Sequence, residues 1–237
     1  MKNFITKIGV FYFFLLLVGC GGEKNQESGG KNEENQQQVA VETPDIPSSK
    51  EIKIGNQIWM TQNLNVEKFK NGDSIPQAKN DEEWKLANEN KKPIWAYYDY
   101  DEANGTKYGK LYNWYAVKDK RGIAPEGWHV ASNTEWSELI DFLGGTEIAG
   151  KKLKSSKGWA KNGNGTNEVG FFGLPSGVFH FNGGSQYNSV LNTAQWWTSS
   201  PKDDDQAYAP SLNSEKDNII TFMPDLGYGF SVRCIKN

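Results

Sequence analysis

The chain has 237 residues, with 26 basic against 29 acidic side chains, two His and two Cys. That length suits one domain with additions, and the slight acidic excess removes the basic patch that a nucleic-acid binder needs. Only 37% of the residues are apolar, yet nine Trp, ten Tyr and twelve Phe supply large rings able to fill a core.

The first segment, residues 1–19, has the layout of a targeting peptide. Lys2 and Lys7 precede an apolar run from Ile8 to Val18, too short to span a bilayer comfortably, so a cleaved signal peptide is expected. Leu17-Val18-Gly19-Cys20 resembles a bacterial lipobox. That likeness implies cleavage before Cys20, lipid on its sulfur and amino group, and attachment to a membrane, since several acyl chains anchor where one does not. Gly21 rather than Asp follows the cysteine, and by likeness to lipoprotein sorting signals the expected place is the outer membrane or cell surface. Residues 20–50 are built from Gly, Glu, Lys, Asn, Gln and Ser. Their small apolar content cannot offset ordering entropy, so they are expected to form a tether. A flexible chain of that length has an r.m.s. reach on the order of 30 Å. The folded domain is then residues 51–237.

That domain opens with Ile52 and Ile54, the pair Gly55-Asn56, and then Ile58-Trp59-Met60, which reads as a hairpin. Asn80 is placed to N-cap a short helix with Asp81, Glu82 and Glu83 in its first turn, Trp84 and Ala87 facing inward, and Pro93 as a stop. Asp99, Asp101 and Glu102 sit before an Asn104-Gly105 turn. They lack the glycine and final glutamate that complete a calcium loop, so a solvated acidic turn is expected. Leu111, Trp114 and Tyr115 form one short helical face. The clearest signal follows. Ser132 to Glu135 fits a capping box, Trp136, Leu139, Ile140 and Leu143 share one helix face, and Gly144-Gly145 ends it. His129, between the two helices, has no ligand partner at close spacing, so a hydrogen-bonded structural role is expected.

Beyond Gly150 the chain is rich in Gly, Asn and Ser. Phe171-Phe172, Val178-Phe179, Trp196-Trp197, Ile219 to Phe222 and Phe230 to Ile235 are strand candidates separated by turn residues, which suggests an antiparallel sheet with long loops. The expected core includes Trp59, Leu64, Trp114, Tyr115, Trp128, Trp136, Leu139, Ile140, Leu143, Phe230 and Val232. With Cys20 lipidated, Cys234 is the one remaining thiol, which leaves no disulfide within the chain and suits a small buried hydrophobe.

Three ordered segments carry a family likeness: IKIGNQIWMTQNLNV, YGKLYNWYAV with APEGWHVASNTEW, and GYGFSVRCIKN. Together they resemble the signature of the Fibrobacter succinogenes major paralogous domain family, over roughly Glu51 to Asn237. The resemblance implies an α+β, C-type-lectin-like fold, with two helices on a mostly antiparallel sheet and long loops in the second half. It also implies that the last strand returns beside the first. It brings no established reaction.

A surface-displayed binding or adhesion module follows as the expected function, with a glycan as ligand and a monomeric domain. The candidate contacts are Asn164, Asn167, Glu168, Tyr187, Asn188, Trp196 and Trp197, amides and a carboxylate beside rings on which sugars can stack. Each has a plainer explanation, as Asn-Gly runs make turns and a Trp pair on a strand puts one ring inside. No cofactor is expected. Asn167-Glu168 and Asp203-Asp204-Asp205 offer hard oxygen ligands, so calcium is compatible with the sequence without being predicted by it. The alternative is a structural component of a surface assembly that binds protein. An enzyme is not expected. The lectin-like superfold also hosts formylglycine-generating-type oxidases, but one free Cys and two distant His do not match their site. No Gly-x-Ser-x-Gly, His-Glu-x-x-His or phosphate loop is present either.

Overall fold

The computed structural model describes residues 47–184 and 189–237. The signal peptide, Cys20 and nearly all of the tether lie outside the described residues, as do Tyr187 and Asn188. The described chain is an α+β domain.

The opening hairpin forms as the sequence predicts. β1 (Glu51–Ile54) pairs antiparallel with β2 (Gln57–Met60), and Gly55 takes the positive φ of 59° that the tight turn demands. α1 (Asp81–Glu89) starts where Asn80 accepts the Glu83 N–H, and it buries Trp84. After β3 (Trp95–Ala96) comes a correction. Asn104-Gly105 is not a turn but the middle of α2 (Glu102–Tyr108), whose N-cap is Asp101. Glycine is tolerated in this helix because the Tyr97 ring occupies the space a Cβ would need. Leu111 also departs from expectation, since it lies on β4 (Leu111–Tyr112), and the helix that follows, α3 (Trp114–Val117), is a single turn.

β5 (Trp128–Val130) leads into α4 (Asn133–Phe142). Both halves of the capping box are in place: the Ser132 hydroxyl accepts the Glu135 N–H, and the Ser132 N–H donates to the Glu135 carboxylate at 2.7 Å. Trp136, Leu139, Ile140 and Leu143 are buried as a face. Gly144-Gly145 ends α4 as expected, but a further helix, α5 (Thr146–Leu153), begins there with Gly145 as its N-cap.

The second half is built on β6 (Thr193–Trp197), β7 (Ala209–Asn213), β8 (Ile219–Phe222), β9 (Ser231–Val232) and β10 (Cys234–Lys236). Phe171-Phe172 is not a strand; Phe172 has a positive φ of 53°. Two four-stranded sheets and the β3–β4 pair result, in the orders β1-β2-β10-β5 and β8-β7-β6-β9. The chain end returns to the opening hairpin, with Ile235 opposite Trp59 on β2 rather than a residue of β1. Pairing of β6 with β7 stops at Gln195 and Ser211, next to Pro210, which has no N–H to donate. β6 then continues beside β9 in parallel through Trp196 and Trp197.

The alternation of β6 divides the interior. Ala194 and Trp196 face a core of Trp59, Trp136, Phe171, Leu212 and Ile235, while Trp197 faces a second core of Tyr112, Trp114, Phe230, Val232 and Cys234. All of the expected core residues belong to these clusters, with Tyr115 and Trp128 half-buried at the margin.

Candidate functional site

β6, β7 and β8 cover the first core with one face and leave part of the other open. Residues opposite one another on the open face form rows, because side chains alternate along a strand. One row is Gln195, Ser211 and Ile220, the next is Thr193 and Asn213, and Ala209 with Phe222 makes a third. Rows two residues apart are about 6.8 Å apart along the strand. At the β8 side Ile220, Phe222 and Met223 are 41%, 47% and 42% exposed. That is a concentration of apolar surface that a protein does not ordinarily leave uncovered without use.

Polar groups lie beside these apolar walls. The side chains of Thr193, Gln195 and Ser211 are on the floor of a groove of about 420 Å³ whose wall is Ile220 and Phe222. Among the described residues none of the three side chains makes a hydrogen bond. Gln195 and Phe222 also line a second groove of about 380 Å³ with Gln206, Asp225, Tyr228 and Phe230. Asp225 in turn borders a third, of about 490 Å³, with Asp205, Tyr115, Phe181 and Asn182. The shared residues make these one trench.

The ring at its centre is held firmly. Tyr228 stacks on Phe230 at 5.7 Å and meets His180 at 5.3 Å and Phe181 at 5.4 Å. Burial, with Asp225 nearby, pushes the Tyr228 hydroxyl above its ordinary value. Burial does the same for Tyr115, so both remain neutral donors at physiological pH. The trench therefore offers amides, hydroxyls and carboxylates between fixed aromatic and aliphatic walls.

The contacts expected from sequence that fall among the described residues do not line the trench, and most have another task. Trp196 and Trp197 are both fully buried, a correction to their place as a stacking platform. β6 has a core on each side, so neither ring is outside. The Trp196 Nε1 donates to Asn63 Oδ1 at 2.8 Å and the Trp197 Nε1 to the Tyr112 carbonyl at 2.8 Å. Asn164 Oδ1 accepts the Trp159 N–H, and Asn167 Oδ1 accepts the Phe172 N–H, so both amides close turns. Glu168 is exposed and pairs with Lys152 at 3.1 Å. Asp203 accepts the N–H groups of Asp205 and Gln206. No group of three or more His, Cys, Asp or Glu able to hold a metal occurs among the described residues.

His129 has the structural role expected, with a partner the sequence reading overlooked. Its Nε2 lies 2.7 Å from Glu135 Oε1 and its Nδ1 2.8 Å from Asn237 Oδ1, which ties the capping box to the chain end. Arg233, fully buried beneath a small cavity of about 70 Å³, looks at first like an anion site. Its guanidinium is already engaged by Met60, Phe171 and Phe172 carbonyls and by Asn63. Burial lowers it to about 9, still charged at neutral pH. It holds backbone in place, and no donor is left for a ligand. Burial also pushes the Cys234 thiol up to about 12 and leaves it inert.

The trench escaped the sequence reading, although one signal was present. Ile219 to Phe222 is apolar on both faces, so a single core could cover only one of them.

The described chain is thus an α+β domain with an open-faced sheet beside a polar, ring-walled trench. The chain belongs to the Fibrobacter succinogenes major domain family, whose sequence model matches residues 52–236. No curated protein and no solved structure matches it.

Proposed function

We propose that the chain is a cell-envelope lipoprotein that displays a C-type-lectin-like, glycan-binding domain, and that the trench across β6, β7 and β8 is its ligand site. The observation that carries this reading is the cluster of Thr193, Gln195 and Ser211 side chains, unpartnered among the described residues, beside exposed Phe222 and Ile220. A sugar ring presents the complementary surfaces, hydroxyls at its edge and C–H groups on its face. The lipobox-like Leu17 to Cys20 and the polar segment after it support presentation from the outer membrane or cell surface. The module binds and does not transform its ligand, and it works without calcium, because the trench relies on side-chain amides and rings.

A glycan array probed with the full chain in detergent, with calcium and with EDTA, tests this. Saturable binding that survives EDTA and falls on Gln195→Ala or Phe222→Ala is the expected result. Binding abolished by EDTA would place the site elsewhere. A second reading, addition of a partner protein's strand to the edge of β8, draws on the exposure of Ile220, Phe222 and Met223. It would take precedence if folded protein bound no glycan at all.

A further inference from the structure

Resting on the glycan reading above, we infer that the trench takes the interior of an unbranched, uncharged polysaccharide chain, laid along its length, and not a single terminal sugar. Three features point this way.

The first is continuity. The groove over Thr193 and Ser211 shares Gln195 and Phe222 with the groove at Tyr228, and that one shares Asp225 with the groove at Asn182 and Tyr115. Each of the three is within the range of about 300–1,000 Å³ that holds a small ligand. Three such segments in series match successive units of one chain. All three open to solvent, so none forms the closed end that a terminal residue would fill.

The second is the repetition of the same chemistry. Each segment pairs a ring or aliphatic wall with polar side chains that have no partner among the described residues. Phe222 stands by Thr193 and Ser211, Tyr228 by Gln206, and Phe181 and Tyr115 by Asn182. A repeating ligand would meet the same wall-and-donor pattern at each step.

The third is charge. The trench is bordered by Glu89, Asp205, Asp225 and Glu215 against Lys85 and Lys216 only, and it contains no arginine. Lys85 is within 3.9 Å of Glu89, and Glu215 pairs outward with Lys161, while Asp205 and Asp225 make no ion pair among the described residues. Such a border repels uronate or sulfated chains, and it lacks the bidentate donor that recognises them. A neutral chain meets hydrogen-bond acceptors instead, to which its hydroxyls donate.

The test uses the full chain in detergent, with calorimetry against linear gluco-, manno- and xylo-oligosaccharides from disaccharide to hexasaccharide, and against polygalacturonate. Affinity for one neutral series should rise by roughly 30- to 150-fold with length, as two or three added net hydrogen bonds would give. Thr193→Ala at one end and Asn182→Ala at the other should each weaken the hexasaccharide, and both together should reduce it to disaccharide affinity. Unfolding curves of the variants should match the parent, as these side chains are at the surface. If the disaccharide binds as well as the hexasaccharide, or polygalacturonate binds as tightly as the neutral chains, the inference is overturned while glycan binding stands. If no saccharide binds, the glycan reading falls and the inference with it.

Discussion

A few side chains hold this domain by satisfying groups that could not otherwise be buried. Arg233 joins the carbonyls of Met60 and Phe171 at 2.8 and 2.6 Å, with its guanidinium 4.3 Å from the Phe171 ring centre. Arg233→Met would leave those carbonyls orphaned, and stability should drop by about 3–5 kcal/mol, several times the roughly 1 kcal/mol of a single net hydrogen bond. Urea melts would read this directly. Trp136 packs edge-on to Trp59 at 5.0 Å and near Phe171 and Trp196. Trp136→Ala should cost about 3–5 kcal/mol, as large core truncations do, and a loss below 1 kcal/mol would remove it from the core. Glu135 gives a pH dependence. Burial favours its neutral acid, but bonds from the Ser132 N–H, His129 and the Ser132 hydroxyl outweigh it and hold the carboxyl below its ordinary value. Its contribution is therefore present above about pH 4, the unfolded value, and fades as pH falls through the lower folded one. Glu135→Gln, which still fits a capping box, should flatten the stability profile between about pH 2 and 5 while changing it little from its own value at pH 7.

At the scale of elements, what was legible from sequence was whatever local chemistry decides. The hairpin at Gly55, the Asn80 cap and α4 from Ser132 to Leu143 form as their residues dictate. The failures share one cause, which is that distant packing overruled the local signal. Gly150 lies inside α5, where a Cβ would come within 2.5 Å of the Asn218 and Asp217 carbonyls, so the close approach of that loop requires glycine. β7 is not among the strand candidates of the sequence, and its Pro210 sits where β6 leaves one partner for another. Gly105 is the sharpest case. Ala is the better helix former by about 1 kcal/mol, but the Tyr97 ring fills the site. Gly105→Ala should therefore destabilise, by about 1–3 kcal/mol as overpacking does, and a thermal melt that shows a gain would refute that packing. Trp196 and Trp197 were misplaced as contacts for the same reason as the strands. A polar or aromatic residue type does not reveal which side of β6 is closed, and here both are closed at Trp196 and Trp197 while Gln195 is open.

The whole molecule combines a lipobox-like start, a polar segment and one folded domain with a trench on an open sheet face. No described helix is long and apolar enough to cross a membrane. The proposed attachment is through Cys20. Cys20→Ala should abolish incorporation of labelled palmitate; incorporation at the parental level would contradict the anchor. The central claim concerns the trench, and hydrogen–deuterium exchange of the full chain with and without a neutral oligosaccharide tests it most directly. The account predicts protection confined to peptides covering 85–89, 115, 181–182, 193–197, 205–213 and 219–228. Protection centred on the 159–168 loop, or none with ligand demonstrably bound, would contradict it.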